Sequence, residues 1–270
     1  MTDTFDLRGR QAYITGAVGL LGLHHCEALL EKGCNITLID INEDLLRQAV
    51  INLQQKYSSS HVDYVHADIT NYQELDEKLK CSEYSKLILI NNAAVNPKVE
   101  DGSTNLGQFE SCDPKKIISE FEVSIIGAIN CCKILGSQMK KNNNGVILNI
   151  ASDLSIIAPD QRLYNIPGLP DERQPKKPVS YSICKSGLVG LSKYLSTYWS
   201  DNKIRVNSLS PVGVFDDQPI EFVANLSSRI PLGRMARSDE YKGAVQFLCS
   251  DASSYMTGQN IVMDGGRSVW

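Results

Sequence analysis

Short apolar runs alternate along the chain with segments whose apolar residues recur every three or four positions. The runs Gln11–Thr15, Asn35–Ile39, Val62–His66, Lys86–Ile90, Gly145–Ile150, Ile204–Ser208 and Asn260–Met263 predict seven strands. Between them, Glu43–Tyr57 sets Leu45, Leu46, Ala49, Val50 and Leu53 along one helical face. Further helices are predicted from the end of the first run to about Leu30, over Tyr72–Cys81, from Pro114 to about Met139, from Val179 to about Trp199, and over Asp239–Leu248. Pro114 suits a helix start, where its missing N–H costs little. Strands that alternate with helices call for a doubly wound parallel sheet with helices on both faces, an α/β class. Two stretches lack a period. Val95–Asp113 is polar, and Ala151–Pro178 carries five prolines; the latter is long for a connection in a compact domain, and long ordered loops tend to be functional. Pro211–Pro231 is irregular apart from one short helical piece.

Composition narrows the class without choosing a chemistry. At 270 residues, 42% apolar and 21% charged, the chain can bury a sizeable core as one domain, 1–270. A net charge of −4 argues against nucleic acid as a partner. No apolar run approaches the ~20 residues of a membrane span. Thr2, Asp3, Asp6 and Arg8 leave no room for a secretory signal, so a soluble cytoplasmic protein is expected. The eight cysteines form no C-x-x-C pair, and His24, His25, His61 and His66 make no ligand set, so structural thiols and no metal are expected.

Candidate chemistry sits at the ends of the strands. Gly16, Gly19 and Gly22 fall where the first strand turns into the first helix. There a backbone can turn tightly and approach a pyrophosphate, with Val18, Leu20 and Leu21 lying between the glycines. Asp40 closes the second strand about twenty residues on, where a carboxylate accepts from both ribose hydroxyls. It repels a 2′-phosphate, and no Arg or Lys lies in the turn or immediately after it. NAD is therefore expected rather than NADP. Asp68, at the end of the third strand, suits either the adenine amino group or a helix N-cap. In Val179–Gly187, Tyr181 and Lys185 are four apart and share one helical face. A cation beside a phenol favours the phenolate and brings the hydroxyl toward acid/base use.

The Gly turn, Asn91-Asn92-Ala93-Ala94, Tyr181-x-x-x-Lys185, Ile204–Pro211 and Tyr255–Gly266 together resemble the short-chain dehydrogenase/reductase family over essentially the whole chain. The resemblance implies a single-domain Rossmann fold, a small-molecule substrate and a homodimer or homotetramer paired through roughly Val179–Trp199 and Asp239–Met263. It implies that Tyr181 is the general acid/base and that Lys185 lowers its pKa and binds the nicotinamide ribose. Ser152 would orient the substrate oxygen, with Ser155 a second candidate. Asn91 and Ala93 would line the adenosine ribose, beside Asn92 and Ala94; Ile69 would cover the adenine; Pro211, Gly213 and Val214 would hold the carboxamide end. Segment 212–234 would be a mobile substrate lid.

Three departures stand out. The G-x-x-G-x-x-G spacing is that of the family's longer sugar-nucleotide members, Ser124 takes the place of the active-site Asn, and Ser152 and Tyr181 are 29 residues apart. The inserted segment, 153–178, is expected to lie over the substrate pocket. Its Arg162, Arg173, Lys176 and Lys177 suit a phosphorylated or nucleotide-linked substrate or form a solvated loop, with Tyr164 stiffening the segment as a further candidate substrate contact. Arg229 and Arg234 of the lid contact an anionic substrate or stay solvated. Ala158–Tyr164 and Lys177–Ser182 look like a bacterial subgroup associated with surface-glycan and flagellin modification, which implies a sugar-like substrate. The leading expectation is an NAD(H)-dependent oxidoreductase acting on an alcohol or ketone. The alternatives are an epimerase or dehydratase of a nucleotide sugar that retains its NAD, and a cofactor-binding regulator without turnover.

Overall fold

Seven parallel strands, β1 (Gln11–Thr15), β2 (Asn35–Asp40), β3 (Val62–His66), β4 (Leu87–Asn91), β5 (Gly145–Ile150), β6 (Ile204–Pro211) and β7 (Asn260–Met263), form one sheet in the order β3-β2-β1-β4-β5-β6-β7. The computed structural model describes residues 3–79, 84–96, 99 and 108–270. The helices are α1 (Gly22–Leu30), α2 (Glu43–Lys56), α3 (Tyr72–Lys78), α4 (Pro114–Phe121), α5 (Ala128–Asn142), α6 (Val179–Tyr198), α7 (Ile220–Ser227) and α8 (Lys242–Cys249). Register pairs Ala12 with Ile36 on one side of β1 and with Ile88 on the other, and Ile88 in turn with Val146.

The two-residue period of the strands splits the core into two layers. Ala12, Ile14, Ile88, Ile90, Val146 and Leu148 pack with Leu29 of α1, Leu46 and Leu53 of α2, and Val245 and Leu248 of α8. Tyr13, Leu87, Leu89 and Ile147 pack on the opposite face with Leu75 of α3, Leu135 and Met139 of α5, and Leu195 of α6. Ile14, Leu38, Ile88 and Leu89 have no accessible surface, and burying each side chain is worth ~1.5–3 kcal/mol. The strands read as near-continuous apolar runs because both faces of the sheet are covered.

The long helix expected from Pro114 to Met139 is not regular. Asp113 caps α4 by accepting from the Lys115 N–H, and the path then widens into a π-helical turn over Glu122–Gly127 before α5. The apolar period runs unbroken through this point, so the pattern carries no mark of the turn. Gly127 lies against Ile69; a Cβ there would sit 2.5 Å from the Ile69 Cδ1. The expected end of the third helix at Cys81 and much of the loop Val95–Asp113 lie outside the described residues. Among the described residues, no helix is long and apolar enough to cross a membrane, seven cysteines are free thiols, and no group of three or more His, Cys, Asp or Glu could hold a metal.

The strand order reverses between β1 and β4, and ligands of such sheets bind in the crevice at the carboxyl ends of the strands there. Beyond that edge the inserted segment packs on segment 212–234. Leu163 and Tyr164 join Val212, Leu226, Ile230 and Met235 in a separate apolar cluster, and the Tyr164 and Phe222 rings lie 5.6 Å apart.

Candidate active site

A cavity of about 570 Å³ opens at this edge, within the range of cofactor and small-molecule sites. Gly16, Gly19, Leu20 and Leu21 line one end, and Ser152, Tyr181, Lys185 and Lys177 the other.

The glycine end is shaped by close approaches. Gly16 has φ +61°, and a Cβ on it would lie 2.7 Å from the Ala93 Cα. A Cβ on Gly22 would lie 2.3 Å from the Gly16 carbonyl oxygen. Gly16 thus seats the turn on the end of β4, and Gly22 lets α1 start directly beneath it. Thr15 and Asn92 lock the contact: Asn92 and Ala93 N–H groups donate to Thr15 Oγ1, and Asn92 Nδ2 donates to the Thr15 and Gly16 carbonyls. α1 has no side-chain cap and no acid in its first turn, so its terminal N–H groups remain suited to an anion. Asp40 accepts from the Val18 N–H at 3.3 Å and from the Asn42 N–H at 3.1 Å, which holds its carboxylate beside the turn. Asp68, Ile69, Ala93, Ala94, Pro211, Gly213 and Val214 also line the cavity, whereas Val18 and Gly22 are not among its lining residues. Asp68 accepts from the N–H and hydroxyl of Thr70. A pyrophosphate and a ribose diol fit this end: bare backbone at Gly16 and Gly19, a helix start, and a carboxylate.

Asn91 differs from its expected place. β4 extends through it, so its side chain turns into the core, donating to Asn149 Oδ1 and Cys132 Sγ; Asn92, one residue on, faces the turn.

At the other end Tyr181 stands in the first turn of α6, with Lys185 one turn later and 5% exposed. Lys185 Nζ donates to the Ile150 carbonyl at 2.8 Å and lies 5.7 Å from the Tyr181 ring centroid. In the chain itself burial dominates the Tyr181 phenol. It pushes the phenol up to about 12, against a hydrogen bond with Ser152 and with the Asp153 charge adding to the rise. Burial likewise brings the Lys185 ammonium down to about 8.

Ser152 follows β5 and caps a short turn. Its Oγ donates to Asp153 Oδ1 at 2.8 Å and accepts from the Leu154 N–H at 3.2 Å. Asp153 is 2% exposed and bonds Arg267 through its other oxygen; burial pushes its carboxyl up, and the guanidinium opposes that. Nothing in the spacing pointed to this pair, whose members are 114 residues apart. Ser155 lies to one side, bonded to the Ser210 hydroxyl.

Ser124, Arg162 and Arg173, like Val18 and Gly22, do not line the cavity. Ser124 is buried in the π-helical turn against the Cys184 thiol, and its neighbour Val123 faces the cavity instead. Arg162 is exposed and paired with Asp160, two residues away, at 2.8 Å, and Arg173 is also exposed. Asp160 takes Arg229 as well, and Arg234 pairs with Glu240. Tyr164 does line the cavity. Of the cations in the inserted segment, Lys177 is the one that enters.

The chain matches two family models, "short chain dehydrogenase" over residues 10–163 and "Enoyl-(Acyl carrier protein) reductase" over 171–268. It is 26% identical to an NAD-dependent glycerol dehydrogenase of Listeria innocua, over 98% of this chain and 96% of that one. It is 28% identical to an NADP-dependent mannitol dehydrogenase of Hypocrea jecorina, over 100% and 96%. A short chain dehydrogenase from Leptospira borgpetersenii, solved with bound NAD+, superposes with a TM-score of 0.80 at 26% identity, covering 99% of this chain and 96% of that one. The chain belongs to the short-chain dehydrogenase family of nicotinamide-dependent oxidoreductases.

Proposed function

We propose that the protein interconverts a polyol or sugar-like alcohol and its ketone, with NAD(H) as the hydride carrier. The observation that carries this reading is the single cavity with the bare Gly16–Leu21 turn and Asp40 at one end and Ser152, Tyr181 and Lys185 at the other. The dinucleotide, when bound, supplies the hydride acceptor or donor. The turn and the start of α1 hold its pyrophosphate, and Asp40 takes the adenosine ribose hydroxyls. The preference for NAD over NADP rests on the cavity wall from Gly16 to Ile69, which carries Asp40 and Asp68 and no described Lys or Arg. A 2′-phosphate there would meet a carboxylate without a counter-charge.

Tyr181 gives its proton to the carbonyl oxygen on reduction and takes it back on oxidation. Ser152 donates to the same oxygen once its hydroxyl turns from Asp153 Oδ1, to which it donates at 2.8 Å. Lys185 holds positive charge beneath the pair. A substrate with several hydroxyls suits the polar groups at this end, Asn96, Lys177, Asp216 and Gln218. Relatives named for glycerol and mannitol point the same way.

A precursor of a bacterial surface glycan is the narrower form of this reading, supported by the likeness of Ala158–Tyr164 and Lys177–Ser182 to that subgroup. The test is NADH formation against a panel of free polyols, aldonates, sugar phosphates and nucleotide sugars, run in parallel with NADP+. Turnover of a hydroxyl-rich substrate with NAD+ at least ~10-fold favoured in kcat/KM is expected. Retained cofactor and epimerised sugar with no net NADH would replace it with the isomerase reading.

A further inference from the structure

We propose that Lys177 is a second cation of the proton-transfer centre, a positioning residue whose ammonium, stacked on the face of Tyr181, favours the phenolate. Lys177 lies four residues before Tyr181 and Lys185 four residues after it, so the ring has an ammonium on either side in sequence. The nearer one is Lys177, whose Nζ is 4.3 Å from the ring centroid against 5.7 Å for Lys185. Lys185 commits a hydrogen bond to the Ile150 carbonyl, whereas the Lys177 ammonium rests on the ring and donates to Asn96 Oδ1 at 2.6 Å.

Lys177 is a built feature of the inserted segment. Its N–H donates to Gln161 Oε1 at 2.8 Å and its carbonyl accepts from Gln161 Nε2 at 3.3 Å, so one side chain clasps both backbone groups. A second clasp braces the loop around it: Gln174 accepts from the Ile166 N–H and donates to the Ile166 and Leu169 carbonyls. Lys177 itself is 8% exposed.

The stacking discriminates between the two protonation states. A neutral phenol attracts a cation over its face through the ring quadrupole, worth ~0.5–2 kcal/mol. A phenolate spreads a full negative charge into the same ring, and the attraction becomes that of two charges a few ångströms apart. The difference lowers the cost of ionising Tyr181. On oxidation the alcohol O–H proton passes to the Tyr181 oxygen as the hydride leaves the carbon, so a readier phenolate favours that direction. The groups facing Tyr181 from other elements are Ser152 and Asp153 after β5, with Arg267 behind Asp153. Burial is the main opposition to that ionisation and Asp153 adds to it; together they are what the two lysines must offset. On the helix itself, Cys184 adjoins Lys185, and Ser180 donates to Glu120 of α4.

The inference rests on the reading of Tyr181 as proton carrier, yet its test needs neither turnover nor cofactor. Difluorotyrosine placed at position 181 ionises at lower pH than tyrosine, and its fluorine NMR shift follows that ionisation in the folded protein. The titration is compared for Lys177, Lys177→Met, Lys177→Gln and Lys177→Arg, with circular dichroism to confirm folding. The expected result is a midpoint raised by at least about one unit in the Met and Gln variants and returned most of the way by Arg. An unchanged midpoint in every folded variant overturns the proposal and leaves Lys177 a loop brace. A wild-type enzyme inactive on all polyols would refute the function above without touching this result.

Discussion

Replacing Arg267 by Met tests the axis that reaches from the C-terminal turn to Ser152. The guanidinium is the counter-charge of Asp153, and their side chains are 9% and 3% exposed. Removing it strands a carboxylate that already accepts from Ser152 and the Leu154 N–H. Burial pushes that carboxyl up even with Arg267 present, so without it Asp153 takes up a proton in the folded state. Neutralising a group of ordinary pKa ~3.9 at pH 7 costs at most ~1.4 kcal/mol for each of about three units, or about 4 kcal/mol. That agrees with the ~3–5 kcal/mol typical of breaking a buried pair. A loss of about 3 kcal/mol corresponds to a Tm lower by roughly 6–12 °C.

The sign follows from linkage. In the variant the folded pKa of Asp153 is raised above its unfolded value, so the deficit is absent below about pH 4 and grows as pH rises. Urea unfolding of wild type, Arg267→Met and Arg267→Met/Asp153→Asn from pH 4 to 8 measures it, with the double variant expected to recover part of the loss at pH 7. A deficit under ~1 kcal/mol at pH 7, or one that does not vary with pH, would refute the reasoning.

Two other outcomes are expected. Asp40→Ser should weaken NAD+ and strengthen NADP+ binding, each by roughly 10-fold in calorimetry, since it removes both the ribose acceptor and the repulsion; unchanged NADP+ affinity would count against Asp40 as the discriminator. His25 is wholly buried in α1, neither ring nitrogen has a partner among the described residues, and burial lowers its pKa from 6.5 to about 3. A lowered base is neutral when folded, so its contribution is intact above pH 6.5 and is lost as pH falls toward 3, by up to about 5 kcal/mol. Acid unfolding of His25→Leu should show a shallower slope in that window, and an identical slope would mean the ring finds a partner.

Most of the fold was legible because burial on both faces leaves plain apolar strands between amphipathic helices. The glycine turn was legible for a related reason: the places of Gly16, Gly22 and Asp40 are fixed by the ends of β1 and β2 and the start of α1. One residue of strand length misplaced Asn91, since adding Asn91 to β4 turns its side chain inward and leaves Asn92 at the edge. The π-helical turn at Ser124 was hidden by an unbroken apolar period. Charge alone also misled. Arg162 in the inserted segment is satisfied by Asp160 two residues away and Arg173 is exposed, whereas Lys177, which carries the same charge, is the cation that enters the cavity. What selects Lys177 is the Gln161 clasp, and what holds Asp153 beside Ser152 is Arg267; neither partnership has a periodic or local trace in the chain.

The central claim is that Tyr181 carries the proton in an NAD-linked alcohol–ketone exchange. The most direct measurement is kcat/KM for NADH formation, on the best polyol of the panel, by wild type and Tyr181→Phe, with NAD+ binding measured in parallel. The account predicts a fall of at least ~100-fold with NAD+ affinity within about twofold of wild type. A Tyr181→Phe enzyme that forms NADH at the wild-type rate would contradict it.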